Sequence, residues 1–317
     1  MLKITKKVIV SGIISFIILS FFCFFYYNIP VHSICEDGST DYKWQENKFY
    51  MSMDEGISFG KTDSLGYINK NTYDDVDILI MGSSHVQGLP VSNNDNVSTI
   101  LDEKLPNKNV YSIATSGHNF KVCISNLEAA LEKYKPEIVI IETNKLKLSS
   151  KEIEDVLSDD MDDIHSTSNK IVAFLQKNPF LRLSYSQIES LSNQISEEKK
   201  EYDFDNTLTR SLIGYISDIL IKNDCKAIIL FHPTVDLDCD GELLLGEEEQ
   251  YSDTFKDICE EFDIEYIDMS DKYIEEYEEN KLLPTGFINT AAGYGHINKN
   301  GHRMFAEEIY KKIGEME

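Results

Sequence analysis

Residues Asp77 to Gly88 read Asp-Ile-Leu-Ile-Met-Gly-Ser-Ser-His-Val-Gln-Gly, and no other stretch constrains the fold as tightly. The unbroken apolar run Ile78 to Met81 has the length and branching of a strand buried on both faces, as strands in parallel sheets are. It stops at Gly82. A buried strand ending in Gly82-Ser83-Ser84-His85 sets small hydroxyl side chains at the carboxyl edge of its sheet, where open α/β folds keep their ligand crevice.

The same rhythm continues down the chain. Strand Ile78 to Met81 is followed by helix Val97 to Leu105, strand Val110 to Ala114, helix Phe120 to Tyr134 and strand Ile138 to Ile141. After a break come helix Leu208 to Ile221, strand Ala227 to Phe231, helix Tyr251 to Phe262, strand Ile264 to Ile267 and a last helix from Arg303 to Ile313. Alternation of this kind predicts an α/β chain: three layers, α/β/α, around a central parallel sheet. Three strand ends are polar, at Gly82-Ser83-Ser84-His85, Thr115-Ser116-Gly117-His118-Asn119 and Glu142-Thr143-Asn144. In a parallel sheet they meet along one edge. Residues 145–205 interrupt the rhythm and read as a helical insertion near the crevice, a candidate lid.

The amino end sets the compartment. Val8 to Tyr27 carries no charge over twenty residues, enough to cross the hydrocarbon layer as a helix. Lys3, Lys6 and Lys7 precede it, so residues 1–7 are expected in the cytoplasm and the rest outside. A cleavable signal peptide is the alternative, but no Ala-x-Ala site follows the run. Residues 28–72, rich in Gly, Ser, Asn, Asp and Lys, read as a stalk or linker, and residues 73–317 as the extracytoplasmic domain.

With 55 acids against 30 bases the net charge is −25, which disfavours nucleic acid as a partner, because phosphate binding needs clustered Lys or Arg. Of the six cysteines, Cys23 lies in the apolar span, and Cys35, Cys123, Cys225, Cys239 and Cys259 show no metal-type CxxC spacing. Cys123, Cys225 and Cys259 fall at apolar positions and are expected as buried thiols. Asp236, Asp238, Asp240, Gly241 and Glu247 have the spacing of a calcium loop, but a strand precedes them where such a loop needs a helix. No metal or other cofactor is assigned.

Just before the last helix stands Gly293-Tyr294-Gly295-His296-Ile297-Asn298-Lys299-Asn300-Gly301-His302. Together with the three strand ends, this resembles the blocks of the SGNH (GDSL-type) hydrolase family, in the same order, over roughly Tyr73 to Glu317. The family's Gly-Asp-Ser is matched by Gly82-Ser83-Ser84, with Ser83 in place of the Asp. Its second-block glycine is matched by Gly117, and its Gly-x-Asn by Glu142-Thr143-Asn144, which keeps the Asn and loses the Gly. In the last block His296, Asn298 and Gly301 match, while Gly293 occupies the Asp position. The Gly-Ser-Ser-His variant is also similar to SGNH-like proteins that handle acyl groups on cell-envelope polysaccharides.

The resemblance implies an SGNH/flavodoxin-like fold and acyl-transfer chemistry. Ser84 would be the nucleophile and His296 the base, with the Ser84 and Gly117 N–H groups and the Asn144 side chain as oxyanion donors. These are the parts acyl transfer requires. His85 and His232 are candidate substrate contacts at the same edge; His118 and His302 are expected to be structural or surface residues. Three readings are open for His296: orientation by another acid such as Asp268 or Asp271, orientation by a backbone carbonyl in a Ser–His dyad, or an inert site. The expected substrate is acylated, foremost acetylated, envelope carbohydrate or another ester. An O-acyltransferase and a non-catalytic binding protein of the same fold are the alternatives.

Overall fold

The computed structural model describes residues 2–34, 40–158, 177–196 and 204–316. Helix α1 (Leu2–Tyr26) contains the apolar span, and over Thr5–Tyr26 it is long and apolar enough to cross a membrane, with most of its side chains exposed and Cys23 buried. It runs directly into β1 (Tyr27–Asn28). Then come β2 (His32–Ile34), β3 (Thr40–Trp44), β4 (Phe49–Ser52) and β5 (Ser58–Lys61). β1, β4 and β5 form a small antiparallel sheet, and β2 pairs with β3.

The main domain follows with β6 (Ile78–Met81), α2 (Ser84–Gln87), α3 (Val97–Lys104), β7 (Val110–Ser112), α4 (Phe120–Ser125), α5 (Leu127–Tyr134) and β8 (Ile138–Thr143). After α6 (Ser150–Leu157), α7 (Pro179–Ser196) and α8 (Asn206–Lys222) come β9 (Lys226–Phe231), the hairpin β10 (Val235–Leu237) and β11 (Leu243–Leu245), α9 (Ser252–Glu261), β12 (Glu265–Asp268), α10 (Ser270–Asn280) and α11 (Lys299–Met316). The five central strands are all parallel, in the spatial order β7-β6-β8-β9-β12. Counted along the chain this is 2-1-3-4-5, the flavodoxin-like order, whose switch point lies beside the first strand.

Side-chain alternation along β6 separates two cores. Leu79 and Met81 join one with α4, α5, α8 and α9, while Ile78 and Ile80 join the other with α3, α10 and α11. This is the expected three-layer α/β/α arrangement. The expected helix 120–134 is two helices, because the chain turns at Asn126.

Residues 44–72 are not a stalk. Trp44, Tyr50 and Ile68 are buried in a core of their own. Asn69 takes Ser112 N–H (3.0 Å) and donates to Ser112 O (2.8 Å), covering the free edge of β7, and Tyr111 Oη donates to Asp63 Oδ2 (2.7 Å). Short strands in a stretch rich in Gly, Ser and Asn leave too weak a period-2 signal to read.

The insertion also sits elsewhere than expected. Ile153 and Val156 of α6 pack into the core with α4 and α8, and the start of α7 lies against α1, where Phe180 meets Phe16 edge-to-face at 5.9 Å and Asn178 hydrogen-bonds Ser20. None of its described residues lines the crevice at Ser84. Residues 159–176 and 197–203 of the expected insertion lie outside the described residues.

Candidate active site

Ser83, in extended conformation, caps α2, its hydroxyl accepting His85 N–H at 3.2 Å. Ser84 is therefore the first residue of a helix that starts where β6 ends. Its Oγ lies 3.0 Å from His296 Nε2. The histidine comes from the far end of the chain, on a loop fastened from both sides. Asn298 Nδ2 donates to Leu283 O (3.0 Å) and Gly286 O (2.9 Å), while its Oδ1 accepts Asn300 N–H (2.8 Å). Gly301 lets the helix pass this loop, since a Cβ there would stand 2.5 Å from Pro284 O.

The acid that holds His296 is Glu55. Its Oε2 accepts both His296 Nδ1–H (2.9 Å) and His296 backbone N–H (2.8 Å), so one carboxylate oxygen fixes the ring and the loop that carries it. Glu55 occupies the turn between β4 and β5. Asn289 clamps that turn, accepting Gly56 N–H (2.6 Å) and donating to Met53 O (2.8 Å) and Asp54 O (3.0 Å). Burial pushes the Glu55 carboxyl upward, but the hydrogen bonds and charge of His296 outweigh it and leave it below the usual range. Neighbouring Asp54 is raised, by burial and then by the charge of Glu55.

Neither Asp268 nor Asp271 orients His296. Asp268 accepts Ser270 N–H (2.8 Å) and the Ser252 hydroxyl, and Asp271 lies in the first turn of α10. Position 293 has no place for an acid: Gly293 has φ +75°, and a Cβ would approach Val235 O to 3.2 Å. The separation of 241 residues between Glu55 and His296 has no local signature; an acid in a Gly-containing turn was its only trace.

The two departures in the first and third blocks meet each other. Buried Glu142 accepts Ser83 N–H (2.7 Å) and the Ser83 hydroxyl (3.2 Å), and its other partner is His232 Nε2 at 2.6 Å. Gly82 is required beside it, because a Cβ there would lie 2.6 Å from Glu142 Oε2. Burial raises the Glu142 carboxyl, yet the hydrogen bond and charge of His232 hold it below the usual range. His85 lies between His232 and His296, with ring centroids 5.0 and 5.4 Å away. Burial, then the nearby His232, pushes it down to about 4, so it is neutral at pH 7. Buried His302 accepts Val97 N–H at 3.2 Å and is pushed down to about 3 by burial.

As a substrate contact, His232 is therefore corrected. His232 is only 2% exposed behind Glu142, and neither its ring nor that of His85 lines the cavity at Ser84.

That cavity measures about 170 Å³ and is walled by Ser84, His296, Glu55, Ser116, Trp44 and Tyr27, among others. Gln87 ties its walls together. With its amide oxygen turned toward the donors, it accepts Trp44 Nε1–H (2.9 Å) and Ser116 N–H (3.2 Å). The Ser84 N–H is one of the donors a helix start leaves without an intrahelical partner. Thr115 N–H donates to Gly82 O (3.0 Å), which brings the next turn, with Gly117 at φ +90°, alongside Ser83. Asn144 Nδ2 lies 3.5 Å from His85 Nε2, one residue beyond the end of β8.

The calcium-like stretch is the hairpin β10–β11. Asp238 Oδ1 accepts Asp240 N–H (2.9 Å) and Glu242 N–H (2.8 Å) across its turn, and no group of three metal-type side chains gathers among the described residues. Cys123, Cys225 and Cys259 are buried free thiols, while Cys239 is exposed; Cys35 lies outside the described residues.

No family model matches the chain, and no curated protein does. Solved structures of similar arrangement include the psychrotrophic esterase EstA from Pseudoalteromonas sp., inhibited by monoethylphosphonate (14% identity, 76% of this chain, 98% of that chain, TM-score 0.42). An acetyl xylan esterase (11% identity, 75% and 100%, TM-score 0.43) and a two-domain esterase active on acetylated mannans (13% identity, 76% and 50%, TM-score 0.42) are others. The chain resembles SGNH (GDSL-type) hydrolases in fold.

Proposed function

We propose that the protein is a membrane-anchored, extracytoplasmic serine esterase acting on short acyl esters, foremost acetyl esters of envelope carbohydrate. The observation that carries this reading is the unbroken chain Ser84 Oγ–His296 Nε2, His296 Nδ1–Glu55 Oε2 at 3.0 and 2.9 Å. A carboxylate on Nδ1 leaves Nε2 free to take the serine proton, the arrangement that activates a hydroxyl nucleophile. It also speaks against a non-catalytic protein, since a binding crevice has no need of an oriented base.

Ser84 Oγ attacks the ester carbonyl carbon and passes its proton to His296. The carbon–oxygen bond to the alcohol breaks as His296 returns that proton to the leaving oxygen. Water, activated by the same histidine, then releases the acid and restores Ser84. Ser84 N–H, Gly117 N–H and Asn144 are the oxyanion donors of this proposal, each such donor being worth about 2.7 to 4 kcal/mol. The small cavity favours a short acyl group. A sugar hydroxyl in place of water makes the same site an O-acyltransferase.

The test is covalent labelling with a small fluorophosphonate, comparing wild type with Ser84→Ala and His296→Ala. Labelling lost in both variants is expected. Folded wild-type protein that neither labels nor hydrolyses p-nitrophenyl acetate would refute the assignment.

A further inference from the structure

The site and the membrane helix are joined with almost no chain between them. Met53 N–H donates to Tyr26 O, the last residue of α1, at 2.7 Å. Glu55 follows Met53 by two residues, at most about 7 Å of extended chain. Tyr27 pairs with Ser52 in the small sheet, and both Tyr27 and Ile29 wall the cavity that holds Ser84 and His296. A span of 22 residues, Thr5–Tyr26, is about 33 Å long at 1.5 Å per residue and matches the hydrocarbon thickness of about 30 Å. Tyr26 then marks the edge of the hydrocarbon, and the cavity wall begins one residue later.

Two further features flank α1 and its exit. The start of α7 descends beside α1, touching Ser20 and Phe16, about 9 and 15 Å along the helix from Tyr26. On the small sheet, Phe59 is the partner of Met51, and Met51 of Asn28. Phe49 lies on the same outward face, and Phe49, Phe59 and neighbouring Ile57 are 52, 57 and 65% exposed. An apolar outward face beside a helix exit suits the headgroup boundary, where such side chains are favoured.

We infer that the catalytic cavity opens at headgroup depth and that its substrate is a short acyl ester on the polar headgroup of a bilayer-anchored molecule, such as a lipid-linked sugar. This rests on the membrane-anchored esterase reading above and narrows its substrate. A cavity of about 170 Å³ accommodates a short acyl group, so we place the cleaved ester on the headgroup, with the lipid as its tether. Confining enzyme and ester to one surface raises the effective concentration of each for the other. A polymer distant from the bilayer gains nothing from this placement.

The protein has a single tryptophan, and Trp44 stands in the cavity wall. It reports the depth of the site without any reaction. The full chain is reconstituted in phosphatidylcholine–phosphatidylglycerol vesicles containing a nitroxide-headgroup lipid, alongside a variant with twenty Gly/Ser residues inserted between Tyr26 and Tyr27. That spacer has a root-mean-square reach of about 25 Å. Trp44 fluorescence is expected to be quenched in wild type at least threefold more than in the spacer variant. Equal, negligible quenching in both would overturn the placement.

Substrate class is read in the same vesicles from acetate released by acetylated hexadecyl glucoside and acetylated methyl glucoside. The hexadecyl ester is expected to react at least tenfold faster than the methyl ester, and the spacer to abolish that ratio. Equal rates in wild type, or an advantage that survives the spacer, would refute the tethered substrate. Labelling of Ser84 by the small fluorophosphonate without cleavage of either glucoside would refute the headgroup ester and leave the nucleophile standing. Quenching without any labelling would refute the esterase and leave the placement standing.

Discussion

Glu55→Gln should slow acylation of Ser84 by about 10²- to 10³-fold. In the native site the carboxylate faces an imidazole that becomes cationic as it takes the serine proton, with a nitrogen–oxygen separation of 2.9 Å and charge centres about 4 Å apart. At an effective dielectric constant of 20 that attraction is about 4 kcal/mol, equivalent to about 10³ in rate at 1.36 kcal/mol per decade. The His296 side chain is 35% exposed, so solvent screening lowers the estimate toward 10². The amide has a second effect. If its NH2 faces Nδ1, the ring carries its proton on Nε2 and cannot accept one from Ser84, a fault that costs about 10⁴ in a serine protease. The assay is the second-order rate of fluorophosphonate labelling at pH 8, with thermal unfolding followed in parallel. A folded Gln variant that labels within fivefold of wild type would show that Glu55 neither orients nor stabilises His296.

Two predictions concern the buried groups behind the nucleophile. Glu142→Gln turns one carboxylate oxygen into a donor facing either Ser83 N–H or His232, and breaking a buried pair of this kind typically costs about 3 to 5 kcal/mol; urea unfolding of the variant should show a loss of that size. Stability should also fall on mild acidification. His85 and His302 are held at about 4 and about 3 against an ordinary 6.5, so below pH 6.5 the unfolded chain binds protons that the folded chain refuses. Each histidine then removes on the order of 2 kcal/mol between pH 7 and 5, and His302→Asn should flatten that slope in urea titrations. A wild-type stability that is level from pH 7 to 5 would contradict the neutral burial of both rings.

The parallel sheet and its edge were legible in the sequence because each depends on local pattern, while the pairing of Ser84 with His296, 212 residues apart, came from the resemblance of four short blocks. The buried strands are short unbroken apolar runs, the helices between them have their own periodicity, and small polar residues punctuate three of the strand ends. Asn298 and Gly301 were visible for the same reason, as part of one loop. The apolar span was equally plain, since length without charge is a one-dimensional property.

What the sequence left open depends on residues that meet only when the chain is folded. Glu55 lies far along the chain from His296, in a stretch of short strands whose composition reads as linker, and only the docking of the β4–β5 turn by Asn289 makes it the acid. Glu142, His232 and Ser83 looked like departures from a family pattern and prove to be one buried hydrogen-bonded set. The sequence by itself determined the layers of the fold and the edge at which chemistry is placed. Tertiary structure alone decided which carboxylate faces the histidine and how near the cavity lies to the end of α1, because both are distances between segments and carry no period along the chain.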